Sequence, residues 1–216
     1  MQIPLVWLQI GTKVTIKTKK NVRDFIKSNK KIRKTFKKKI NLMKINKNNQ
    51  GIVFWITGLP GSGKSNISKN IFSAIEKSYG PTLRLRGNEV RNIFGLKGYT
   101  RHERLKIGFM YHEFCKKISR SGINILFDVV CLFEKIRNKN KKYLKNYLEI
   151  FIKADIKLLV KRKQKYFYRV KTSNVWGNDL KPEFPKKPDI IIHNNFKKST
   201  KQLTSLLLSK IKKKLK

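Results

Sequence analysis

The chain has 216 residues and a formal net charge of +41, because 53 lysines and arginines face only 12 aspartates and glutamates. Its two cysteines are too few for a disulfide framework and lack the spacing of metal ligands, so we expect a reducing, cytoplasmic location. No stretch reaches the roughly 18 consecutive apolar residues that a membrane span needs.

Residues 1–50 form a basic segment with 15 lysines and arginines and a single acid, Asp24. Like charges at this density usually stay solvated, although a basic amphipathic helix over about residues 22–42 also fits. Two explanations account equally well for the excess of lysine: A/T-rich codon usage, or a selected surface that binds polyanions. We expect a dispensable extension before a domain at residues 51–216, and Met43 is an alternative translation start.

A phosphate-binding loop follows the apolar run at residues 52–57. It fits the pattern G-x-x-x-x-G-K-[ST] and reads Gly58-Leu59-Pro60-Gly61-Ser62-Gly63-Lys64-Ser65. Glycines let the backbone N–H groups curl around phosphates, Lys64 is expected to reach the β- and γ-phosphates, and Ser65 to ligate Mg²⁺. The sequence therefore predicts a site for ATP and Mg²⁺ between a strand and a helix.

Beyond this loop, strand-like and helix-like segments alternate, which is typical of a parallel sheet with crossover helices. The predicted strands are Ile52–Thr57, Thr82–Leu85, Ile123–Val130, Leu148–Lys153 and Asp189–His193. The predicted helices are Lys64–Tyr79, Asn88–Phe94, Arg101–Ser121, Phe133–Tyr147, Ile156–Lys165 and Ser199–Leu215. We predict an α/β protein of the P-loop kinase fold, with a five-stranded parallel sheet, and a substrate lid at residues 166–188.

Five ordered segments between residues 51 and about 195 resemble the adenylylsulfate kinase family. These segments are Phe54–Ser65, Leu85–Arg91, Gly98–Arg104, Arg162–Tyr168, and Asn174–Asp179 followed by Pro185–Asp189. Members of that family use MgATP to phosphorylate the ribose 3′-hydroxyl of adenylylsulfate. The resemblance therefore implies ATP and Mg²⁺ as cofactors and a small nucleotide as the acceptor.

The resemblance also implies roles for residues outside the loop. Arg91 and Arg104 fall on positions that hold the acceptor's anionic end, which suits a planar, permanently charged group. Tyr99 falls on an aromatic that stacks on the acceptor base, and Trp176 lies near the partner position, although either is also compatible with packing. Two basic side chains are expected to close over the nucleotide phosphates, namely Arg162 and Lys165.

The chain departs from the family at its catalytic acids. Arg86 and Asn88 stand where the family has the two aspartates of an Asp-Gly-Asp segment. Asn88 offers a carbonyl oxygen but cannot accept a proton, which leaves Glu89 as a second candidate base. Ile107 replaces a substrate-contacting asparagine, and Cys131 falls at a small-residue position, where a packed thiol is favoured over a nucleophile.

Asp128 is the acid that could replace the missing aspartates. It ends the apolar run 123–127, as a Walker-B-type acid does, whereas related sequences generally have a small or apolar residue there. Either it faces Mg²⁺ beside Ser65 or it pairs with a nearby basic residue. We therefore predict Lys64, Asn88 and Asp128 as catalytic residues, with Ser65 and Asp128 as metal ligands.

Three functions are compatible with these patterns. The leading expectation is a kinase that converts adenylylsulfate to 3′-phosphoadenylylsulfate in sulfate activation. The second is a kinase of the same fold with a changed acceptor such as cytidine diphosphoramidate, because residues 143–153 resemble a subgroup linked to surface polysaccharides. The third is a degenerate nucleotide-binding protein with a polyanion-binding surface. We expect no requirement for nucleic acid, and include a homodimer among the possible assemblies.

Overall fold

The computed structural model describes residues 50–162 and 173–215, so the predictions for residues 1–49 and for Lys165 lie outside the described residues. The strands are β1 (Val53–Thr57), β2 (Thr82–Arg86), β3 (Asn124–Asp128), β4 (Tyr147–Lys153) and β5 (Ile190–His193). The helices are α1 (Lys64–Tyr79), α2 (Gly87–Ile93), α3 (Arg101–Arg120), α4 (Glu134–Tyr143), α5 (Ile156–Arg162) and α6 (Thr200–Lys214).

The five strands form one parallel sheet in the order β2-β3-β1-β4-β5. Every residue of β1 and β3 is buried, because helices cover both faces of the sheet. Trp55 and Phe127 face a layer that includes α3 and α4, whereas Phe54 and Ile56 face α1 and α6. Burial on both faces explains why these strands read as unbroken apolar runs.

The predicted fold class, a parallel α/β sheet of the P-loop kinase type, is confirmed. Most predicted boundaries lie within two residues of the observed ones. The largest difference among the fully described elements is at α4, which ends at Tyr143 although the pattern predicted a helix to Tyr147. The reason is that Tyr147 already pairs with Val53 as the first residue of β4.

The strand order places the site. After β1 the chain crosses to β2 on one side of the sheet, and β4 later joins β1 on the other side. In open parallel sheets, ligands bind outside the carboxyl ends of the strands at such a reversal. The carboxyl ends of β1 and β3 therefore mark the expected crevice. Of the helices in the described ranges, none is long and apolar enough to cross a membrane.

Candidate active site

The phosphate loop (residues 58–65) follows β1 at this crevice. Gly58 has a φ of 149°, and a Cβ atom there would lie 2.4 Å from the carbonyl oxygen of Ile152. Gly63, with a φ of 96°, caps α1 without a side-chain hydrogen bond to the first turn. A helix start without a side-chain cap, next to glycine-rich backbone, is the kind of anion site that the motif predicts.

The Lys64 side chain is buried within this loop, at 5 % exposure. Its Nζ donates hydrogen bonds to the carbonyl oxygens of Gly58, at 3.0 Å, and of Leu59, at 2.7 Å. The ammonium group is thus held against the curled loop backbone, in the place from which the motif requires it to reach phosphates.

Asn194, at the end of the edge strand β5, contacts the phosphate loop. It follows β5, is buried, and donates from Nδ2 to the carbonyl oxygen of Ser62 at 3.0 Å. A Cβ atom on Gly63 would lie 2.8 Å from the same Nδ2. Sequence reasoning missed Asn194; the signal was a polar residue directly after a buried strand.

Asp128 lies at the carboxyl end of β3 and is 4 % exposed. Its Oδ1 accepts a hydrogen bond from Ser65 Oγ at 2.8 Å, and its Oδ2 accepts one from Ser68 Oγ at 2.6 Å. On the Oδ2 side, Arg84 Nη2 is 4.0 Å from the carboxylate and Arg84 Nε donates to Ser68 Oγ at 3.3 Å. The two predicted metal ligands, Ser65 and Asp128, are therefore in contact. The other two partners of this carboxylate, Ser68 and Arg84, were not identified from the sequence.

The chemistry of this group suits Mg²⁺. A serine hydroxyl and a carboxylate supply the oxygen donors that this cation prefers. The described residues contain no cluster of three or more His, Cys, Asp and Glu side chains that could hold a metal. A site with one or two protein ligands, completed by substrate phosphates and water, is the usual arrangement for Mg²⁺ in kinases.

The positions of the missing aspartates lie nearby. Arg86 ends β2 and pairs with Glu89, with 3.3 Å between Nη1 and Oε1 and both side chains about half exposed. Glu89, the second candidate base, is thus engaged by a guanidinium group. Asn88 is exposed at the start of α2 and lines the cleft described next.

A cleft with two converging arginines lies between α2, α3 and the end of β3. We call it the arginine cleft; its lining residues are Gly87, Asn88, Arg91, Tyr99, Arg104, Ile107, Tyr111, Val129, Val130 and Cys131. The guanidinium carbons of Arg91 and Arg104 are 4.4 Å and 5.1 Å from the centroid of the Tyr99 ring. Tyr99 is 54 % exposed, so the ring is accessible. Three of the four residues that the resemblance assigned to the acceptor therefore line one cleft.

Backbone carbonyl groups hold the two guanidinium groups in place. Arg104 donates to the carbonyl oxygens of Tyr99, at 2.6 Å, and of Asn174, at 2.7 Å, while Arg91 donates to that of Gly98. Within the described part of the chain, neither guanidinium has a carboxylate at ion-pair distance. Burial, followed by repulsion from Arg91, lowers the pKa of Arg104, yet arginine remains charged at neutral pH.

Two buried groups in the cleft stay neutral. Burial raises the pKa of Tyr111 to about 12, and its hydroxyl donates to the carbonyl oxygen of Gly87 at 3.1 Å. Burial also raises the pKa of Cys131 to about 12, with the side chain 2 % exposed. Cys131 is therefore a packed thiol at neutral pH, in line with the expectation from its position.

The remaining predicted residues lie apart from the cleft. Trp176 is only 1 % exposed and packs edge-on against Phe133, with 4.9 Å between ring centroids. That burial favours packing, the alternative that the sequence left open for Trp176, over stacking on a base. Arg162 is exposed at the end of α5, with its guanidinium carbon 4.3 Å from the centroid of Phe196.

Comparison with known proteins identifies the family. The sequence model of the family described as Adenylylsulphate kinase matches residues 50–193, which is two thirds of the chain. The chain belongs to the adenylylsulphate kinase family. It is therefore an ATP-dependent phosphotransferase with a hydroxyl group as acceptor.

Curated relatives within this family carry different substrate names. The chain is 31 % identical over 169 residues to the cytidine diphosphoramidate kinase of Campylobacter jejuni, covering 76 % of this chain and 98 % of that protein. It is 28 % identical over 151 residues to the adenylyl-sulfate kinase of Clostridium kluyveri, covering 67 % and 76 %. Family membership leaves the acceptor open.

A solved structure supports the fold. The Mycobacterium tuberculosis APS kinase, determined in complex with AMPPNP and APS, superposes with a TM-score of 0.67 at 17 % identity. The superposition covers 76 % of this chain and 99 % of that one. At this identity the likeness establishes the shared fold of the kinase domain.

Proposed function

We propose that this adenylylsulphate-kinase-family enzyme transfers the γ-phosphoryl group of ATP to a hydroxyl group of an anionic nucleotide bound in the arginine cleft. The observation that carries the proposal is the convergence of Arg91 and Arg104 on the exposed ring of Tyr99. Two fixed guanidinium groups suit sulfate or phosphate oxygens, and an accessible ring suits a base.

The donor nucleotide would lie on the phosphate loop. The N–H groups at the start of α1 and the Lys64 ammonium group would bind the β- and γ-phosphates. Ser65 and Asp128 would hold Mg²⁺, which when bound offsets the negative charge of the transferring phosphoryl group. Because the Ser65 hydroxyl group donates its hydrogen to Asp128, its oxygen lone pairs would remain for the cation.

Asn88 would orient the acceptor hydroxyl group in place of a catalytic aspartate. Its amide can donate and accept hydrogen bonds but cannot take up the proton. Phosphoryl transfer depends mainly on positioning and charge stabilisation, and a general base typically contributes about 10²–10⁴-fold. The absence of an aspartate at position 88 is therefore compatible with a slower but functional kinase.

Among nucleotide acceptors, we propose cytidine diphosphoramidate first and adenylylsulfate second. Both carry an anionic group next to a nucleoside, so the arginine pair suits either. Ile107 lines the cleft where adenylylsulfate kinases have a substrate-contacting asparagine, which removes a polar contact. The similarity to a cytidine diphosphoramidate kinase over 98 % of its length points the same way.

ADP release by the purified protein tests this proposal. The assay would use MgATP alone, with cytidine diphosphoramidate, and with adenylylsulfate. Lys64→Ala serves as the inactive variant and Lys69→Ala, an exposed lysine on the same helix, as its matched control. We expect stimulation by cytidine diphosphoramidate that Lys64→Ala abolishes and Lys69→Ala leaves intact.

The other outcomes are equally informative. Stimulation by adenylylsulfate alone would reverse the ranking of the acceptors while keeping the kinase. ATP binding without stimulation by either acceptor would contradict both assignments and favour the degenerate nucleotide-binding protein.

A further inference from the structure

Arg84 occupies a position that the phosphotransfer reaction does not explain. It lies in the middle of β2, on the same strand face as Arg86, and its side chain extends to Ser68 of α1. Its Nη2 is 4.0 Å from Asp128 Oδ2, and its Nε donates to Ser68 Oγ at 3.3 Å. The Arg84 side chain is 24 % exposed and that of Asp128 is 5 % exposed.

The carboxylate of Asp128 has two differently occupied oxygens. Oδ1 faces Ser65 and hence the proposed cation site, whereas Oδ2 faces Ser68 and Arg84. A buried carboxylate is costly unless hydrogen bonds and an opposite charge compensate it. Here two serine hydroxyl groups supply the hydrogen bonds, and Arg84 supplies the charge.

Neighbouring cations are engaged elsewhere. Arg86, the next residue on this face of β2, pairs with Glu89. The Lys64 ammonium group donates to carbonyl groups of the phosphate loop. The Arg84 guanidinium group, in contrast, lies within ion-pair distance of Asp128.

We propose that Arg84 is a resident counter-ion of Asp128 that competes with Mg²⁺ for this carboxylate. In the cation-free protein Arg84 compensates the buried charge. Mg²⁺ held by Ser65 and Asp128 would share this carboxylate with Arg84, and the two cations would repel one another. Arg84 thus weakens the dependence of ATP binding on Mg²⁺ and stabilises the cation-free enzyme. The inference rests on the cation site proposed above.

The sign follows from simple electrostatics. A divalent cation held by Asp128 would share one carboxylate with the Arg84 guanidinium group, at a place where partial burial limits screening. Replacing Arg84 by glutamine keeps a hydrogen-bond donor near Ser68 but removes the charge. Mg²⁺ then meets less repulsion, and the cation-free carboxylate loses its counter-ion.

The experiment compares the affinity for ATP in EDTA and in Mg²⁺, without any acceptor, by isothermal titration calorimetry. The dissociation constant of ATP in EDTA divided by that in Mg²⁺ gives a ratio that measures how strongly Mg²⁺ and ATP are coupled. We expect Arg84→Gln to raise this ratio about fivefold and to lower the melting temperature in EDTA more than in Mg²⁺ with ATP. Arg84→Lys, which keeps the charge, should stay within about twofold of the wild-type ratio.

Two controls separate this effect from general charge reduction. Arg120→Gln removes one positive charge at the exposed end of α3 and should leave the ratio unchanged. In an Asp128→Asn background, Arg84→Gln should no longer change the ratio, because the shared carboxylate charge is gone.

Three results would overturn the inference. It fails if Arg84→Gln changes the ratio no more than Arg120→Gln does, or if the ratio falls. A wild-type ratio near one would remove the proposed cation site along with it. Because no acceptor is present, a wrong acceptor assignment leaves this experiment unaffected.

Discussion

The phosphate loop with Asp128 and the arginine cleft lie side by side, yet they are built differently. Lys64 and Asp128 are buried, and hydrogen bonds within the protein hold both in place. In the arginine cleft, Tyr99 is exposed and the two arginines have no carboxylate partner at ion-pair distance among the described residues. The proposed ATP side is thus held by buried contacts, whereas the proposed acceptor side combines arginines held by backbone carbonyl groups with an exposed ring. We therefore expect a change of acceptor to depend mainly on residues of the arginine cleft.

The largest expected effect is on the buried side. Asp128→Asn should lower kcat about 100-fold, because the site loses the negative charge that would face Mg²⁺. The substitution also replaces one of the two oxygens that accept hydrogen bonds from Ser65 and Ser68. Steady-state kinetics with saturating MgATP and acceptor measure it. Glu113→Gln removes an exposed acid of α3 and is the matched control. Retention of most of the activity in Asp128→Asn would place the cation elsewhere.

Arg104→Ala tests the cleft at one of its two arginines. Losing a charge-assisted contact to the acceptor, worth about 1.5–3 kcal/mol, should lower kcat/KM for the acceptor about 10- to 100-fold. The KM for ATP should not change, since the phosphate loop is separately held. Lys106→Ala, an exposed lysine of the same helix, is the control. An equal rise in the KM for ATP would mean that the two regions are coupled.

Tyr99 tests whether the exposed ring contacts the acceptor. Tyr99→Leu should raise the acceptor KM about tenfold through loss of stacking, while Tyr99→Phe should behave like the wild type. Initial-rate measurements over a range of acceptor concentrations distinguish the two variants. If Tyr99→Phe raises the acceptor KM as much as Tyr99→Leu does, the acceptor contacts the hydroxyl group rather than the face of the ring.

The smallest effect is expected at Cys131, a buried residue that lines the otherwise accessible cleft. Because its pKa is about 12, the thiolate that reacts with iodoacetamide is scarce at about pH 8. Mass spectrometry should show alkylation only after denaturation, and Cys131→Ala should keep its turnover within about twofold. Rapid alkylation of the native protein with loss of activity would show that the cleft opens to the thiol.

Much of the ATP side could be predicted from the sequence because its determinants are contiguous. The phosphate loop is a single run of residues from Gly58 to Ser65, and its backbone conformation follows from its own glycines. The strands and helices were predictable for a similar reason, since apolar periodicity is a local property. The convergence of Arg91, Tyr99 and Arg104 came from the family resemblance and not from periodicity.

Other features depended on the tertiary structure because they join distant parts of the chain. Sequence patterns show that Asp128 ends a strand, but only the tertiary structure brings it beside Ser65. The register of β2 on β3 pairs Arg86 with Asp128, yet it is the side chain of Arg84, the register partner of Leu126, that lies 4.0 Å from Asp128 Oδ2. Likewise, the packing of Phe133 buries Trp176, and the position of β5 brings Asn194 to the loop. The local sequence determined which groups are expected to bind phosphate, whereas the direction of side chains across the assembled sheet determined which charged groups lie close together.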